Sequence, residues 1–258
     1  MNLFDSHCHL DDEKFNLDRE QTIQHIFQSG VSKLISAGYS LEGSKQGLEL
    51  AKTYPQIYTI SGISPNDISE TVENIEEQIK QIERLAGHQK VVGIGEMGLD
   101  YYWNRENKEL QQFAFITQIE LANKLNLPIV IHTREAIADT LEILKSHPVT
   151  KKGVFHCCPL NRELVKEALA IGFYISFAGP VTFKNAKNAD EIIRLVPDDK
   201  MLIETDSPYL SPEPNRGKRN DSSNVIYIAQ KIAKVKGYEV EQVANMTYQN
   251  ACRIFEIR

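Results

Sequence analysis

The stretch "GIGEMGLDYYW" at residues 93–103 decides between two α/β architectures. Gly93, Gly95 and Gly98 keep the Gly-x-Gly-x-x-Gly spacing of a dinucleotide-binding loop, the mark of a doubly wound open sheet. The same stretch carries a carboxylate, Glu96, in its middle. A dinucleotide loop needs its third glycine to open a helix whose amides face a pyrophosphate. Here Gly98 is followed by "LDYYWNRENKEL", and the aromatic run delays the helix to about residue 106. Glu96 would also repel the anion. The better reading makes Glu96 the working residue and the small residues its setting, letting other groups approach closely.

Outward from this stretch the chain keeps one beat. Short runs rich in Val, Ile, Tyr and Phe recur at 3–7, 32–38, 57–63, 91–96, 128–132, 153–157, 173–177 and 201–206, eight in all. The segments between them have helical spacing. Ile75, Ile79, Ile82 and Leu85 fall on one face, with Gly87 placed as a C′ glycine. Leu110, Phe113, Thr117, Leu121 and Leu125 form a second stripe that stops before Pro128. Thr133 and Asn161 stand where the next helices would be capped. Strict alternation means parallel strands with crossover helices. Eight such units in 258 residues is the arithmetic of a (β/α)8 TIM-like barrel, with the doubly wound sheet as the alternative. No linker, low-complexity tract or internal repeat divides the chain, so a single domain over 1–258 is expected.

On this skeleton the polar residues form a pattern. His7 and His9 leave the first strand, Glu96 ends the fourth and His132 the fifth. His156 nearly ends the sixth, and Asp206 ends the eighth. A barrel gathers such carboxyl ends at one mouth. Four of the seven histidines belong to this set; His25, His88 and His147 sit in helix or loop contexts. Any one histidine alone reads more readily as a hydrogen-bonded core residue. Chance, however, would scatter six ligand-type residues over both faces. Histidine and carboxylate without cysteine is metal-site chemistry, suited to zinc, manganese, iron or cobalt and compatible with magnesium. Six ligands exceed what one tetrahedral ion with an open position takes. They suit two ions, His7, His9 and Asp206 on one, His132 and His156 on the other, with Glu96 as the bridge.

The bulk numbers exclude other classes. A net charge of −6 rules out a general basic coat for duplex nucleic acid. Cys8, Cys157, Cys158 and Cys252 make no Cys-x-x-Cys pair, which argues against a zinc knuckle or a disulfide framework and for reduced thiols. "MNLFDSHCHL" lacks the regions of a signal peptide, and no apolar run approaches the roughly 20 residues of a membrane span. A cytoplasmic protein without membrane contact is expected.

The sequence resembles the TatD family of metal-dependent DNases within the amidohydrolase-like barrels. The resemblance runs through "DSHCHL" (5–10), "VVGIGEMGLDYYW" (91–103), "PIVIHTREA" (128–136), "FYISFAGPVTFKNA" (173–186), "LIETDSPYLSP" (202–212) and "NRGKRN" (215–220). It implies a TIM-like barrel with a binuclear centre, exonucleolytic deoxyribonuclease activity, and the same six ligands: His7, His9, Glu96, His132, His156 and Asp206. The chain departs from the family pattern in three places. "GISPND" (62–67) puts Ser64 and Asn66 where two histidines are usual, "CCPLN" follows His156, and "DSS" follows "GKRN". None removes a ligand; all bear on substrate-contacting loops.

The expected chemistry is in-line hydrolysis of a phosphodiester by a water that two divalent ions activate. Asp206 would hold that water and accept its proton. Glu204, two residues earlier, would orient a ligand or shuttle a proton. Arg134, Arg216, Lys218 and Arg219 are candidate phosphate contacts, with Lys184 and Lys187 weaker ones. Tyr101, Tyr102 and Trp103 are candidates for stacking an unpaired base. The acidic balance suits a strand end or a short single strand better than a long duplex. Two alternatives stand beside this one. A hydrolase of amides, lactones or aminoacyl esters on the same barrel would commonly carry a modified lysine where Glu96 stands. A non-catalytic scaffold sits poorly with a complete ligand set.

Overall fold

The computed structural model describes residues 1–258. Its eight strands are β1 (Leu3–Cys8), β2 (Val31–Ala37), β3 (Ile57–Ser61), β4 (Val91–Asp100), β5 (Ile129–Arg134), β6 (Gly153–Phe155), β7 (Tyr174–Phe177) and β8 (Met201–Ile203). They pair in parallel in the order β1 to β8 within one sheet. Between them run α1 (Arg19–Gln28), α2 (Leu41–Thr53), α3 (Val72–Ala86), α4 (Lys108–Leu125), α5 (Ile137–Ser146), α6 (Arg162–Ala170) and α7 (Ala189–Leu195). After β8 come α8 (Val225–Lys236) and α9 (Val240–Ile254). The sheet curls into a nearly closed TIM-like barrel.

Consecutive strand residues face opposite ways, and both faces are covered, so the strands read as unbroken apolar runs. Phe4, Ile35, Ile60, Val130 and Leu202 fill the barrel interior, which Phe255 and Ile257, just past α9, close from below. A larger apolar layer, including Leu34, Ile94, Ile129 and Ile203, lies between strands and helices. The edges β1 and β8 meet through single contacts. The Asp206 amide donates to the His7 carbonyl at 2.9 Å, and the His9 amide to Ser207 at 2.7 Å. The Asp5 carboxylate accepts from the Thr205 amide at 2.9 Å and its hydroxyl at 2.5 Å. These bonds bring His7 and His9 up against Asp206.

The glycines of the opening stretch belong to strand packing. A Cβ on Gly95 (φ +141) would lie 2.6 Å from the Val130 carbonyl oxygen, and one on Gly98 (φ +135) 2.0 Å from that of His132. Only glycine lets β4 run this close to β5. No helix opens at Gly98; β4 continues to Asp100.

Several sequence expectations change in detail. Glu96 lies inside β4 rather than at its end, at a register irregularity between Ile94 and Met97. There its amide donates to Gly38 at 3.0 Å. His132 likewise lies within β5. Thr133 caps no helix: it is a β5 residue bonded to Thr140 at 3.0 Å, and α5 starts after Ala136. Gly87 ends α3 at φ −70, outside the left-handed region, whereas Asn126 ends α4 at φ 55. Asn161 does cap α6, accepting from the Leu164 amide at 3.0 Å.

Candidate metal centre

Glu96 stands between two pairs of imidazoles. Its Oε2 lies 3.4 Å from His7 Nε2 and 3.8 Å from His9 Nε2. Its Oε1 lies 3.2 Å from His132 Nδ1 and 3.5 Å from His156 Nε2. Asp206 Oδ1 lies 3.2 Å from His9 Nε2 and 3.8 Å from His7 Nε2. The His7 and His156 rings stack at 3.9 Å and join the two halves. Ligands about 2.1 Å from one ion sit roughly 3–3.5 Å from one another, which is close to these separations.

Donor and acceptor roles show what the cluster lacks. His9 Nδ1 donates to the Ala37 carbonyl at 3.0 Å, so in its neutral form Nε2 carries a lone pair, and that atom faces Asp206 and Glu96. His132 Nε2 donates to Asp100 at 2.9 Å, so its neutral Nδ1 lone pair faces Glu96. Acceptors thus face acceptors in a buried place. Either protons or cations must stand between them, and imidazole with carboxylate is a donor set that divalent ions accept. His7, His9 and Glu96 form one group of converging ligand atoms, and Glu96, His132 and His156 another.

Electrostatics agree. Burial opposes ionisation of Glu96, but His156, His132 and His7 hold it well below the usual carboxylate range. Asp206 is held down against burial by His9, His156 and His7. Burial disfavours charge on His9, yet the Asp206 carboxylate raises it to about 9. Burial is likewise outweighed at His156 by Glu96 and Glu204, and at His132 by Asp100 and Glu96. His7, pushed down by burial and by His156, stays neutral. Without a cation, the carboxylates favour a proton on His9, His156 and His132 against the cost of burial.

A supporting layer holds these rings. Glu204 Oε1 lies 3.3 Å from His156 Nδ1 and accepts the Cys157 amide at 2.5 Å, while its buried Oε2 has no partner. Asp100, which the sequence reading passed over, accepts from His132. Its place four residues after Glu96 on one strand was the available signal. Asn66, one of the departures from the family pattern, stands 3.4 Å from the same Asp100 oxygen.

A cleft of about 910 Å3 opens over His132, His156 and Asp206, with Trp103, Arg134 and Tyr209 on its walls. Trp103 and Tyr102 are 68% and 50% exposed, and the Arg134 guanidinium lies 3.7 Å from the Tyr102 ring centroid. Other expected contacts fall elsewhere. Tyr101 is buried, and its hydroxyl donates to Asp139 at 2.8 Å, so it offers no face to a base. Arg219 is committed to Asp18 through two bonds of 2.8 and 2.6 Å, which tie down its own loop. Arg216 lies over Phe183 at 4.1 Å, and like Lys218, Lys184 and Lys187 it is exposed outside the cleft. The cysteines are all free, and none joins the ligand groups. No helix is long and apolar enough to cross a membrane.

Comparison with known proteins accords with this geometry. A Bacillus subtilis (strain 168) protein named as the uncharacterized metal-dependent hydrolase YabD is 41% identical over 256 residues, covering 99% of both chains. An Escherichia fergusonii protein named 3'-5' ssDNA/RNA exonuclease TatD is 33% identical, again over 99% of each. The crystal structure of the TatD homologue YJJV from Escherichia coli K12 superposes with a TM-score of 0.92 at 26% identity, covering 99% of this chain and 98% of that one. The family model described as TatD related DNase matches residues 4–256, and the chain belongs to this TatD family of metal-dependent hydrolases.

Proposed function

We propose that this hydrolase is a two-metal phosphodiesterase that removes nucleotides from the end of single-stranded DNA. The observation that carries the reading is the division of Glu96, one carboxylate oxygen toward His7 and His9 and the other toward His132 and His156. His7, His9 and Asp206 would hold one divalent ion and His132 and His156 the other, with Glu96 shared; zinc, manganese and magnesium are the candidates. Such a pair supplies a water ionised near neutral pH and neutralises charge on a phosphoryl oxygen.

The chain's own residues do the rest. Asp206 lines the cleft, is held ionised by its imidazole neighbours, and takes the proton of the attacking water. Glu204 is a positioning residue that fixes the His156 ring and the Cys157 backbone. Arg134 faces a phosphate with its guanidinium fork, and Trp103 with Tyr102 offers a surface for an unpaired base. The exonuclease named among the relatives supports the choice of a nucleic acid.

The test is to incubate metal-loaded protein with end-labelled single-stranded DNA and RNA, and separately with esters, lactones and amides. Stepwise shortening from one end, absent in Glu96→Ala, is expected. Turnover of a small ester or lactone with the oligonucleotides left intact would replace this reading with the alternative hydrolase.

A further inference from the structure

We propose that the cleft grips only two phosphates, the scissile one and a single neighbour, so that its natural substrates are short oligonucleotides or frayed ends rather than long strands tracked along a groove. This rests on the phosphodiesterase reading and narrows it. Of the side chains lining the cleft, Arg134 is the sole lysine or arginine. Two cations on the segment that follows Trp103 are already paired: Arg105 with Glu135 at 2.7 Å and Lys108 with Asp139 at 2.7 Å. Arg219, which follows β8, is held by Asp18. Arg216, Lys218, Lys184 and Lys187 are exposed but none lines the cleft, so a polyanion extending past Arg134 meets no further cation within it.

The opposite rim disfavours extension. Tyr209 is shared between the cleft and a second hollow of about 350 Å3. Asp11, Asp12, Glu13 and Glu42 line that hollow. Asp11 is 8% exposed, and its Oδ1 has no hydrogen-bond partner; burial pushes its carboxyl up to about 6, against the pull of His9 and Arg19. A strand leaving the metal centre over Tyr209 would meet these four acids, with Lys14, 4.0 Å from the Tyr209 ring centroid, set against them. We place the strand on the Trp103–Arg134 side, with its terminal nucleotide at the centre.

Size gives the same limit. The cleft's volume of about 910 Å3 falls at the upper end of the roughly 300–1,000 Å3 that enclose a drug-sized ligand, room for about two nucleotides. The aromatic surface is equally short: Tyr102 and Trp103 are in edge contact at 5.0 Å, and Arg134 covers the face of Tyr102. One base can stack on the outward face of Trp103, and the strand beyond it is in solvent.

The experiment measures kcat/KM for single-stranded DNA of two, three, six, twelve and twenty nucleotides (about a tenfold span of length), with the salt dependence followed on the longest. Each phosphate neutralised on a single strand contributes a slope of about −0.7 in log rate against log salt, so two contacts give about −1.4. The expected result is a kcat/KM per end that changes less than about twofold from three to twenty nucleotides, with that slope. Arg134→Ala, at an exposed position, brings the slope to about −0.7 and raises KM more than it lowers kcat. A kcat/KM climbing tenfold or more with length, or a slope near −4, would overturn the two-phosphate footprint while leaving the phosphodiesterase reading intact. Failure to cleave any oligonucleotide, with small esters hydrolysed, would remove that reading and this inference together.

Discussion

Oδ2 of Asp100 takes the Nε2 proton of His132 at 2.9 Å, while Oδ1 of the same carboxylate accepts the amides of Tyr102 at 3.0 Å and Trp103 at 3.1 Å. One side chain thus sets the tautomer of a metal-facing imidazole and the start of the aromatic rim. Asp100→Asn keeps an acceptor for the two amides but turns an NH2 toward His132. That favours the other tautomer, with the proton on Nδ1 where a cation should sit. The expected outcome is a metal affinity lowered about 10–100-fold with an unchanged fold, read by titration calorimetry beside circular dichroism. Wild-type affinity in this variant would show that His132 needs no such partner.

Metal uptake should expel protons. His9 is raised to about 9, and His156 stands well above its ordinary value, so both are charged in the metal-free protein at pH 7. Ligation requires neutral imidazole, so about two protons leave for each pair of ions bound at that pH, and affinity climbs as pH rises toward 9. Calorimetry in two buffers of different ionisation enthalpy counts them. The sign for stability follows from the same shifts. Histidines raised on folding stabilise the metal-free protein fully below their unfolded value near 6.5, and that contribution fades as pH rises through about 9. The melting temperature gained on adding metal should therefore widen between pH 6.5 and 9; a gain independent of pH would count against the protonated cluster.

Gly98 tests the answer to the opening motif. A methyl group there meets the His132 carbonyl oxygen at 2.0 Å on a backbone of φ +135. Gly98→Ala should cost more than about 3 kcal/mol, or leave no soluble protein, by separating β4 from β5. A variant that melts like the wild type would mean that the two strands lie further apart.

Asp5 tests the seam. It is wholly buried, and it receives the Thr205 amide and hydroxyl from across the β1–β8 junction. Asp5→Ala leaves these donors unpaired in the interior, at about 3 kcal/mol in a urea titration of the metal-free protein. Thr205→Val removes only the hydroxyl and should cost about 1 kcal/mol. Equal losses in the two variants would show that Asp5 holds the seam through the Thr205 hydroxyl alone.

Much of this was legible in the chain, for definite reasons. Strands covered on both faces are runs such as "VVGIGE" and "PIVIH", which spacing finds easily. The convergence of His7, His9, Glu96, His132, His156 and Asp206 followed from barrel topology, which brings strand ends together whatever their distance in sequence. The contacts that depend on side-chain direction were hidden. Nothing in "GLDYYW" shows that Tyr101 turns inward to Asp139 while Trp103 turns out. Nothing in "NRGKRN" shows that Arg219 reaches back to Asp18 at the start of α1. That pairing takes Arg219 from the substrate, Arg216 and Lys218 stay exposed outside the cleft, and Arg134 is left at it.

The central claim is a pair of ions sharing Glu96, and a crystal soaked in manganese tests it most directly. Two anomalous difference peaks are expected, one beside His7, His9 and Asp206 and the other beside His132 and His156, with Glu96 between them. A single peak, or none with the six side chains in place, would contradict it.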